Sequence, residues 1–506
     1  MLADWSQIYI NVIEFNLMGK PNLPDLSSRE YPMLIGGKSV FASDGERLPS
    51  TSPVTQQALT SLPNAAVEDV DKAVKAADAA QKSWRAMTVS DRQNILSEVS
   101  QIIKQNGEEW GMLDSLENGN VYASMKNDAA GGAFMLDYFI GIANELKGES
   151  TQLDNNVHYT RREPYGVVAK LLPFNHPIQS LAAGLAPVLL TGNTLIIKPS
   201  PHTSLSALAF GEAIKDVVPA GVINVITGSN ERAALGLLQH PGIPRLSVTG
   251  STDVGRLAMR EGAEHLKTLT LELGGKTPMI VFDDADLALS VDSALMGMNL
   301  GAQGHSCSST SRVLVHEALY DDFVDQLASR FEEVRVGDPF DETTQMGPIS
   351  HKGQMEKIQN YLKTGRQEGA RLVCGGQRLV DNGLERGLFL SPAVFADVSA
   401  DMRIAREEIY GPVISVIKWK RESDAIEMAN SVEYGLSAVI MTQSLDRAHR
   451  VAHQLESGYV EINGPTSFPL ASPFGGVKHS GMGREGNMEE LISYTQLKSI
   501  NIRING

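Results

Sequence analysis

GVVAKLLPFNHPIQSLAAGLAPVLLTGNTLIIKPS, residues 166–200, decides the architecture. It holds a strand-length apolar run, Val167 to Leu172, then a proline-flanked turn. A helix-length segment, 177–190, and a second strand, Thr194 to Ile197, follow. Strands that are apolar throughout are buried on both faces, and crossover helices join them in parallel sheets. The alternation continues outward through Val222 to Ile226 and Leu246 to Val248, with helix-length segments at 204–217 and 230–239. A second α/β region starts near Thr277, with a helix near 286–300, a strand at Arg312 to Val315 and a helix at Leu319 to Val334. The fold class is α/β in at least two units.

Upstream, short runs between Tyr31 and Pro63, broken by Gly36-Gly37 and Asp44-Gly45, read as a small antiparallel strand pair. Val67, Val70, Val74, Ala77 and Trp84 form one helical apolar stripe. A second helix opens on Ser90-Asp-Arg-Gln93, which has the form of a capping box. Residues 149–163 are polar and β-prone, an exposed ribbon reaching outward. The chain closes on a Gly-rich stretch from Pro473 and an alternating run, Thr495 to Ile504.

The formal charge is −16. An acidic surface repels phosphate backbones and anionic lipid, which argues against nucleic-acid and membrane partners. Two cysteines give no disulfide framework and point to a reducing compartment. The apolar run Ile8 to Met18 carries Glu14 and has no basic residue before Lys20, so it reads as an extension or interface segment rather than a signal peptide. No stretch reaches the roughly 18 apolar residues of a membrane span. The expectation is a soluble, cytoplasmic protein.

Chemistry collects in a few places. Cys307, in GHSCSSTSR (304–312), sits among small polar residues. A nucleophilic thiol needs such a partly exposed setting, although free cysteines are more often buried and structural. Asn175, in PFNHP (173–177), follows a strand, where it can donate to an oxyanion or cap the next helix. Glu272, in LELGGK (271–276), is a lone carboxylate in an apolar strand, either a general base or half of an ion pair with a lysine such as Lys276. Lys198 ends a buried strand and can reach a ribose or phosphate. The Gly250-Ser251 turn leading to Gly255 offers backbone N–H groups to a phosphate, a weak signal alone. Cys374 reads as structural, and the histidines show no metal-ligand spacing; the i, i+4 pair His449 and His453 reads as a solvated face.

Taken in order, PFNHP (173–177), GNTLIIKPS (192–200), VTGSTDVG (248–255), LELGGK (271–276), GHSCSSTSR (304–312) and EEIYGPV (407–413), closed by PFGGVKHSGMGRE (473–485), resemble the aldehyde dehydrogenase superfamily from about Tyr31 to Ile502. The resemblance implies a Rossmann-like NAD(P)-binding domain (1–147 and 164–276), a catalytic α/β domain (277–476) and an antiparallel oligomerisation ribbon and tail (148–163 and 477–506). It implies Cys307 as nucleophile, Asn175 with the Cys307 N–H as oxyanion hole, and Glu272 as general base. It places Lys198 and Glu408 on the cofactor's riboses, Tyr410 near the nicotinamide, Ser251 at the pyrophosphate, and Gly228 and Gly255 where backbone passes closely. Phe174 and Ser200 lie in the same motifs and are expected at the cofactor. Relatives that pass the acyl group to coenzyme A typically lack the base, so Glu272 favours hydrolysis over a CoA-acylating alternative. Retention of Cys307, Asn175 and Glu272 disfavours a non-catalytic binding or structural use of the fold.

Three departures matter. Where many NAD-preferring members carry Glu, this chain has Pro201, so NADP as well as NAD is expected to be accepted. Where many carry a relay lysine, it has Gly184, which leaves Glu485 or water for that relay. Positions that are often bulky aromatics are His176, Ala183 and Gly301. Together with Ser180, His305, Ser306, Ser467, Phe468 and Phe474 they imply a wide, partly polar tunnel for a bulky aldehyde, aromatic or semialdehyde. A homodimer or homotetramer without metal is expected.

Overall fold

The computed structural model describes Leu23, Leu26 and residues 28–504. The run Ile8 to Met18 lies outside them. β1 (Met33–Ile35) and β2 (Lys38–Val40) join a large sheet, whereas β3 (Arg47–Thr51) and β4 (Ala58–Pro63) pair only with each other. The expected single strand pair is therefore two pairs. Helix α1 (Val67–Ala86) buries Val70, Val74, Ala77 and Trp84, while Val67, first in the predicted stripe, is exposed. The Trp84 indole N–H donates to the Leu189 carbonyl at 3.0 Å. Helix α2 (Val89–Asn118) starts earlier than predicted: Thr88, not Ser90, is the cap, and its hydroxyl accepts from the Asp91 N–H at 3.1 Å. Met87 and Thr88 are the only link between two long helices, so the box closes at the first free position.

After α3 (Tyr122–Ile142) and the ribbon strands β5 (Ser150–Leu153) and β6 (Asn156–Pro164), the alternation begins. It runs β7 (Val167–Leu171), α4 (Pro177–Ala183), β8 (Thr194–Lys198), α5 (Leu205–Ile214), β9 (Ile223–Val225), β10 (Arg245–Thr249), α6 (Thr252–Ala263) and β11 (Thr268–Glu272). The predicted 177–190 helix breaks at Gly184 into two pieces, and 230–239 opens with a π-type turn before its α-helical part. Sheet order is β9-β8-β7-β10-β11, all parallel. The order reverses between β7 and β10, a topological switch point, where open α/β sheets place their ligands beyond the strands' carboxyl ends.

The second region comprises β12 (Pro278–Val281), α7 (Leu287–Gly297), β13 (Arg312–His316), α8 (Tyr320–Glu332) and α9 (Lys352–Gln367). It continues with β14 (Arg371–Cys374), β15 (Ala393–Ala396), β16 (Val413–Trp419), β17 (Tyr434–Gly435), β18 (Ser437–Met441) and β19 (Tyr459–Ile462). Its sheet, β14-β15-β16-β13-β12-β18-β19, is parallel except for edge strand β14. Alternate residues feed two cores: Ile280 and Leu314 on one face, Met279, Val281, Val313 and Val315 on the other.

The closing segment returns to earlier structure. β20 (Val477–Lys478) pairs with β17, and β21 (Gly481–Met482) lies antiparallel to β11. After α10 (Met488–Ser493), β22 (Thr495–Arg503) pairs along all of β6. β22, β6 and β5 make a separate three-stranded antiparallel sheet. The fold is thus a Rossmann-like α/β unit, a second α/β unit and a small antiparallel element. No helix among the described residues is long and apolar enough to cross a membrane.

Candidate active site

The carboxyl ends of the first sheet face the amino ends of the second. Residues 273–277 cross from β11 to β12. Cys307 precedes β13, and Glu408 and Tyr410 precede the neighbouring β16. The crossing is so close that it requires glycine. A Cβ on Gly275 would lie 2.2 Å from the Cys307 carbonyl oxygen, and one on Gly274 would lie 2.4 Å from Glu408 Oε2. The Gly275 N–H donates to Glu408 Oε1 at 2.9 Å.

Asn175 comes to the same place from β7. His176 occupies the N-cap position of α4, so Asn175 is not the cap. Its amide donates to the His305 carbonyl at 2.9 Å, two residues from Cys307. The Asn175 carbonyl is held by the Asn120 amide at 2.7 Å. Cys307 is half-buried as a residue, and burial of its thiol together with the Glu272 and Glu408 carboxylates pushes its pKa up to about 12.

Glu272 is buried, and its Oε1 has no hydrogen-bond partner. That oxygen lies 2.7 Å from where a Cβ on Gly475 would stand. Burial first, and then Glu485, raise its pKa well above the usual carboxylate value. The ion-pair reading of Glu272 is not what forms: Lys276 is buried with an unpartnered Nζ, and burial and Arg312 lower its pKa to about 7.

The expected cofactor residues Lys198, Ser200, Gly228 and Ser251 sit at or just beyond the carboxyl ends of β8, β9 and β10, and Gly255 lies in α6. Lys198 ends β8, touches Asn230 Oδ1 at 3.4 Å, and burial lowers its pKa to about 8. The Ser251 hydroxyl caps α6 by accepting from the Val254 N–H at 3.3 Å. At Gly255 the close approach is to the protein itself, since a Cβ would meet Leu273 Cδ1 at 2.4 Å. Gly228, at φ +155°, is similarly tight against Ala233 and Ala65. The Ser200 hydroxyl accepts from the His202 N–H at 3.2 Å.

Phe174 stands at the centre of a ring cluster that joins the first α/β unit to the second. His202, His305, His351 and Tyr410 meet its edges, and His202 stacks on His351 at 4.0 Å. His305, expected to shape the tunnel, is instead fully buried in this cluster. Both of its ring nitrogens are unpartnered, and burial lowers its pKa to about 3. Tyr410 holds a left-handed backbone conformation at φ +58°, fixed by the Gln354 amide donating to its carbonyl at 2.7 Å.

On the tunnel side, His176, Ser180 and Ala183 are the half-buried face of α4. His176 Nδ1 pairs with Asp128 Oδ2 at 2.7 Å; burial opposes its charge, but Asp128 outweighs burial and raises the pKa. Nothing lies within 4 Å of where a Gly301 Cβ would stand. Ser306 and Ser308 hydroxyls sit 3.2 Å apart. Ser467 donates to Glu461 at 2.6 Å, and exposed Phe468 packs edge-on against Phe474. Glu485 is tied to Phe474 by paired backbone hydrogen bonds of 2.7 and 2.9 Å.

Asp128 and His202 escaped the sequence reading because only tertiary contact gives them neighbours; His351, read as lying on a surface helix or its edge, is the N-cap of α9 and packs against Phe174 and His202. Gln354, too, had no local signal beyond its place in a helix. Lys170 was hidden in a strand that reads as apolar. Among the described residues no group of three or more His, Cys, Asp or Glu is placed to hold a metal ion.

Comparison with known proteins identifies the fold and the family. The Aldehyde dehydrogenase family profile matches residues 40–500. An aldehyde dehydrogenase variant from Bacillus cereus superposes with a TM-score of 0.93 at 35% identity, covering 96% of this chain and 100% of that one. HpcC from Thermus thermophilus gives 0.92 at 35% identity, covering 95% and 94%. Betaine aldehyde dehydrogenase from Staphylococcus aureus, solved with NAD+, gives 0.92 at 32% identity, covering 95% and 96%. With the family's profile running through both sheets and across the crossing at Gly274 and Gly275, this chain belongs to the aldehyde dehydrogenase family.

Proposed function

We propose that this enzyme oxidises a bulky aldehyde, aromatic or a semialdehyde, to its carboxylate through a covalent Cys307 intermediate. The observation that carries the reading is the convergence of Asn175, Cys307 and Glu272 at one crossing between two sheets. The thiolate attacks the aldehyde carbon and leaves an alkoxide. Asn175 and the Cys307 N–H are the donors for that charge; removing one such donor costs about 3–4 kcal/mol of barrier stabilisation. A bound nicotinamide supplies the hydride acceptor. A thioester on Cys307 remains, and Glu272 takes a proton from the water that cleaves it.

Lys198 and Glu408 flank the cleft with donor and acceptor capacity left for two ribose diols. Pro201 removes a carboxylate that would repel a 2′-phosphate, which supports use of both NAD and NADP. Glu231 brings a negative charge toward Lys198 from another element, so the ratio of kcat/KM for the two cofactors measures which effect wins. The tunnel reading rests on the void at Gly301 and the small residues of α4. We assign the enzyme to the cytoplasm as a homodimer or homotetramer built on the β5-β6-β22 sheet.

The test is reduced-cofactor formation with an aldehyde panel and both cofactors. Cys307→Ala abolishes activity; surviving activity refutes the nucleophile. A higher kcat/KM for acetaldehyde than for benzaldehyde-sized substrates refutes the bulky-substrate reading. Glu272→Ala gives a hydride burst and then stalls; normal turnover refutes the base.

A further inference from the structure

His176 occupies the N-cap position of α4, yet its ring makes no cap bond. His351, at the N-cap of α9, does: its Nδ1 accepts from the Gln354 N–H at 3.2 Å. The His176 ring is turned instead toward α3, where Nδ1 meets Asp128 Oδ2 at 2.7 Å. Two tightly packed helices make this contact. A Cβ on Gly132 would stand 2.7 Å from Ala182 Cβ and 3.0 Å from the Gln179 carbonyl oxygen, so α3 and α4 meet at a glycine. Asp128 lies one turn before Gly132 on the same face of α3. Asp114, from α2, accepts from the Ile178 N–H at 3.1 Å, and the Asn120 amide holds the Asn175 carbonyl. The backbone is therefore pinned on both sides of His176.

Exposure within the pair is one-sided. The His176 side chain is 21% exposed and that of Asp128 only 9%. The bond to Asp128 is the ring's only hydrogen bond among the described residues, so the nitrogen left for a ligand is Nε2. The next residue back, Asn175, is the oxyanion donor, which puts this nitrogen on the wall of the reaction chamber.

Charge narrows the choice of ligand. The charged groups that face the ring are Asp128 from α3 and Asp114 from α2. Burial lifts Asp114 to about 7. An imidazolium and the Asp128 carboxylate cancel, and Asp114 adds negative charge once ionised. The pair offers a directed N–H with no net positive charge, which suits a neutral oxygen and disfavours a carboxylate. An apolar group of the same size would leave the half-buried donor unpaired, which costs more than a missing contact.

We propose that His176 is a specificity-determining residue for the far end of the aldehyde: held by Asp128, it donates its Nε2–H to a neutral ring oxygen, a hydroxyl or alkoxy group, of an aromatic substrate. This rests on the bulky-aldehyde reading above and narrows it to oxygenated aromatic aldehydes. When the ring loses its proton, Asp128 keeps the one on Nδ1, and Nε2 becomes an acceptor facing that oxygen.

The experiment compares kcat/KM for methoxybenzaldehyde and ethylbenzaldehyde, meta and para isomers, across pH. The two substituents match in size and differ in the oxygen, and their ratio cancels every titration that both substrates share. For the better isomer the ratio is expected to be about tenfold higher in the parent than in His176→Phe, the size of a hydrogen bond to a charged donor. It falls to the variant's value as pH rises through a point above the ordinary imidazole range, because Asp128 raises the pKa of His176 and the donating form lies below it. In His176→Phe the ratio is flat. Asp128→Asn displaces the limb, since Asp128 sets both the charge and the tautomer of the ring. Loss of folding lowers both substrates alike and leaves the ratio in place. Equal ratios in the parent and His176→Phe, a parent ratio flat in pH, or an unmoved limb in Asp128→Asn overturn the proposal. A carboxybenzaldehyde that loses as much on His176→Phe as methoxybenzaldehyde does overturns the choice of a neutral oxygen. If His176→Phe does not fold, the parent's own pH limb decides. A parent that oxidises acetaldehyde but no benzaldehyde overturns the reading beneath the proposal, and is distinguishable from a benzaldehyde-active enzyme blind to the oxygen.

Discussion

At neutral pH the Cys307 thiol holds its proton, since burial and two carboxylates push its pKa up to about 12. Without cofactor, iodoacetamide labelling of Cys307 is expected to rise with pH and show no plateau below about pH 10. A plateau near the ordinary thiol value would mean that the carboxylates do not face the sulfur as described. Glu272 makes the complementary prediction. Its pKa is raised in the folded enzyme and its active form is the anion, so deacylation falls as pH drops through a value well above the ordinary carboxylate range. A flat deacylation rate down to about pH 5 would refute it. Gly301→Phe fills the open space at the Gly301 Cβ position and, on the tunnel reading, is expected to lower kcat/KM for benzaldehyde-sized substrates about tenfold or more while sparing acetaldehyde. Asn175, Glu272 and Cys307 could be singled out by the motifs around them, and the structure brings them to one crossing. Lys170 could not, because only the void over Gly184 explains a lysine inside β7. His305 misled for the same reason: its sequence neighbours are polar, while its spatial neighbours are rings.

Elements were legible where periodicity was strong and uncertain at their ends. The parallel strands β7, β8 and β10 fall on the predicted apolar runs. Two candidate boxes, Thr88 with Asp91 and Ser90 with Gln93, overlap by sequence, and only the preceding helix's end selects the first. Thr88→Ala is expected to cost about 1 kcal/mol, read as a lower Tm, while Ser90→Ala costs close to nothing. The crossing between β11 and β12 is the tighter constraint. Gly275→Ala places a Cβ against the Cys307 carbonyl with no flexible side chain to yield, so it is expected to destabilise by roughly 1–3 kcal/mol and to displace the nucleophile. Unchanged Tm and kcat would contradict that packing.

For the whole molecule, length and charge indicated an acidic protein of more than one unit, and the alternation of apolar runs with helix-length segments made it α/β. Pairing over long distances was beyond it: β6 and β22 each read as strands, but not as partners. The sheet they form with β5 leaves Leu153, Leu497 and Ile502 about half exposed, although the Lys498–Glu163 ion pair and the Arg162–Thr495 bond tie its long strands together besides the backbone. Leu153 and Leu497 lie on one face of this sheet and Ile502 on the other. If the oligomer proposed above is built on this sheet, Leu153→Glu combined with Leu497→Glu is expected to give monomers in size-exclusion chromatography with light scattering. An unchanged mass would place the interface elsewhere. The short strand β21 has a consequence of another kind. It closes the first sheet beside Glu272, and Ser480 reaches back across 206 residues to the Gly274 carbonyl. During synthesis the nucleophile's loop emerges long before the strand that shelters the base. A chain cut between the two sheets would leave β11 as a bare edge beside an open charge. Fragments divided near Thr277 should therefore regain turnover only when made together, which makes this junction a natural place to build a split reporter.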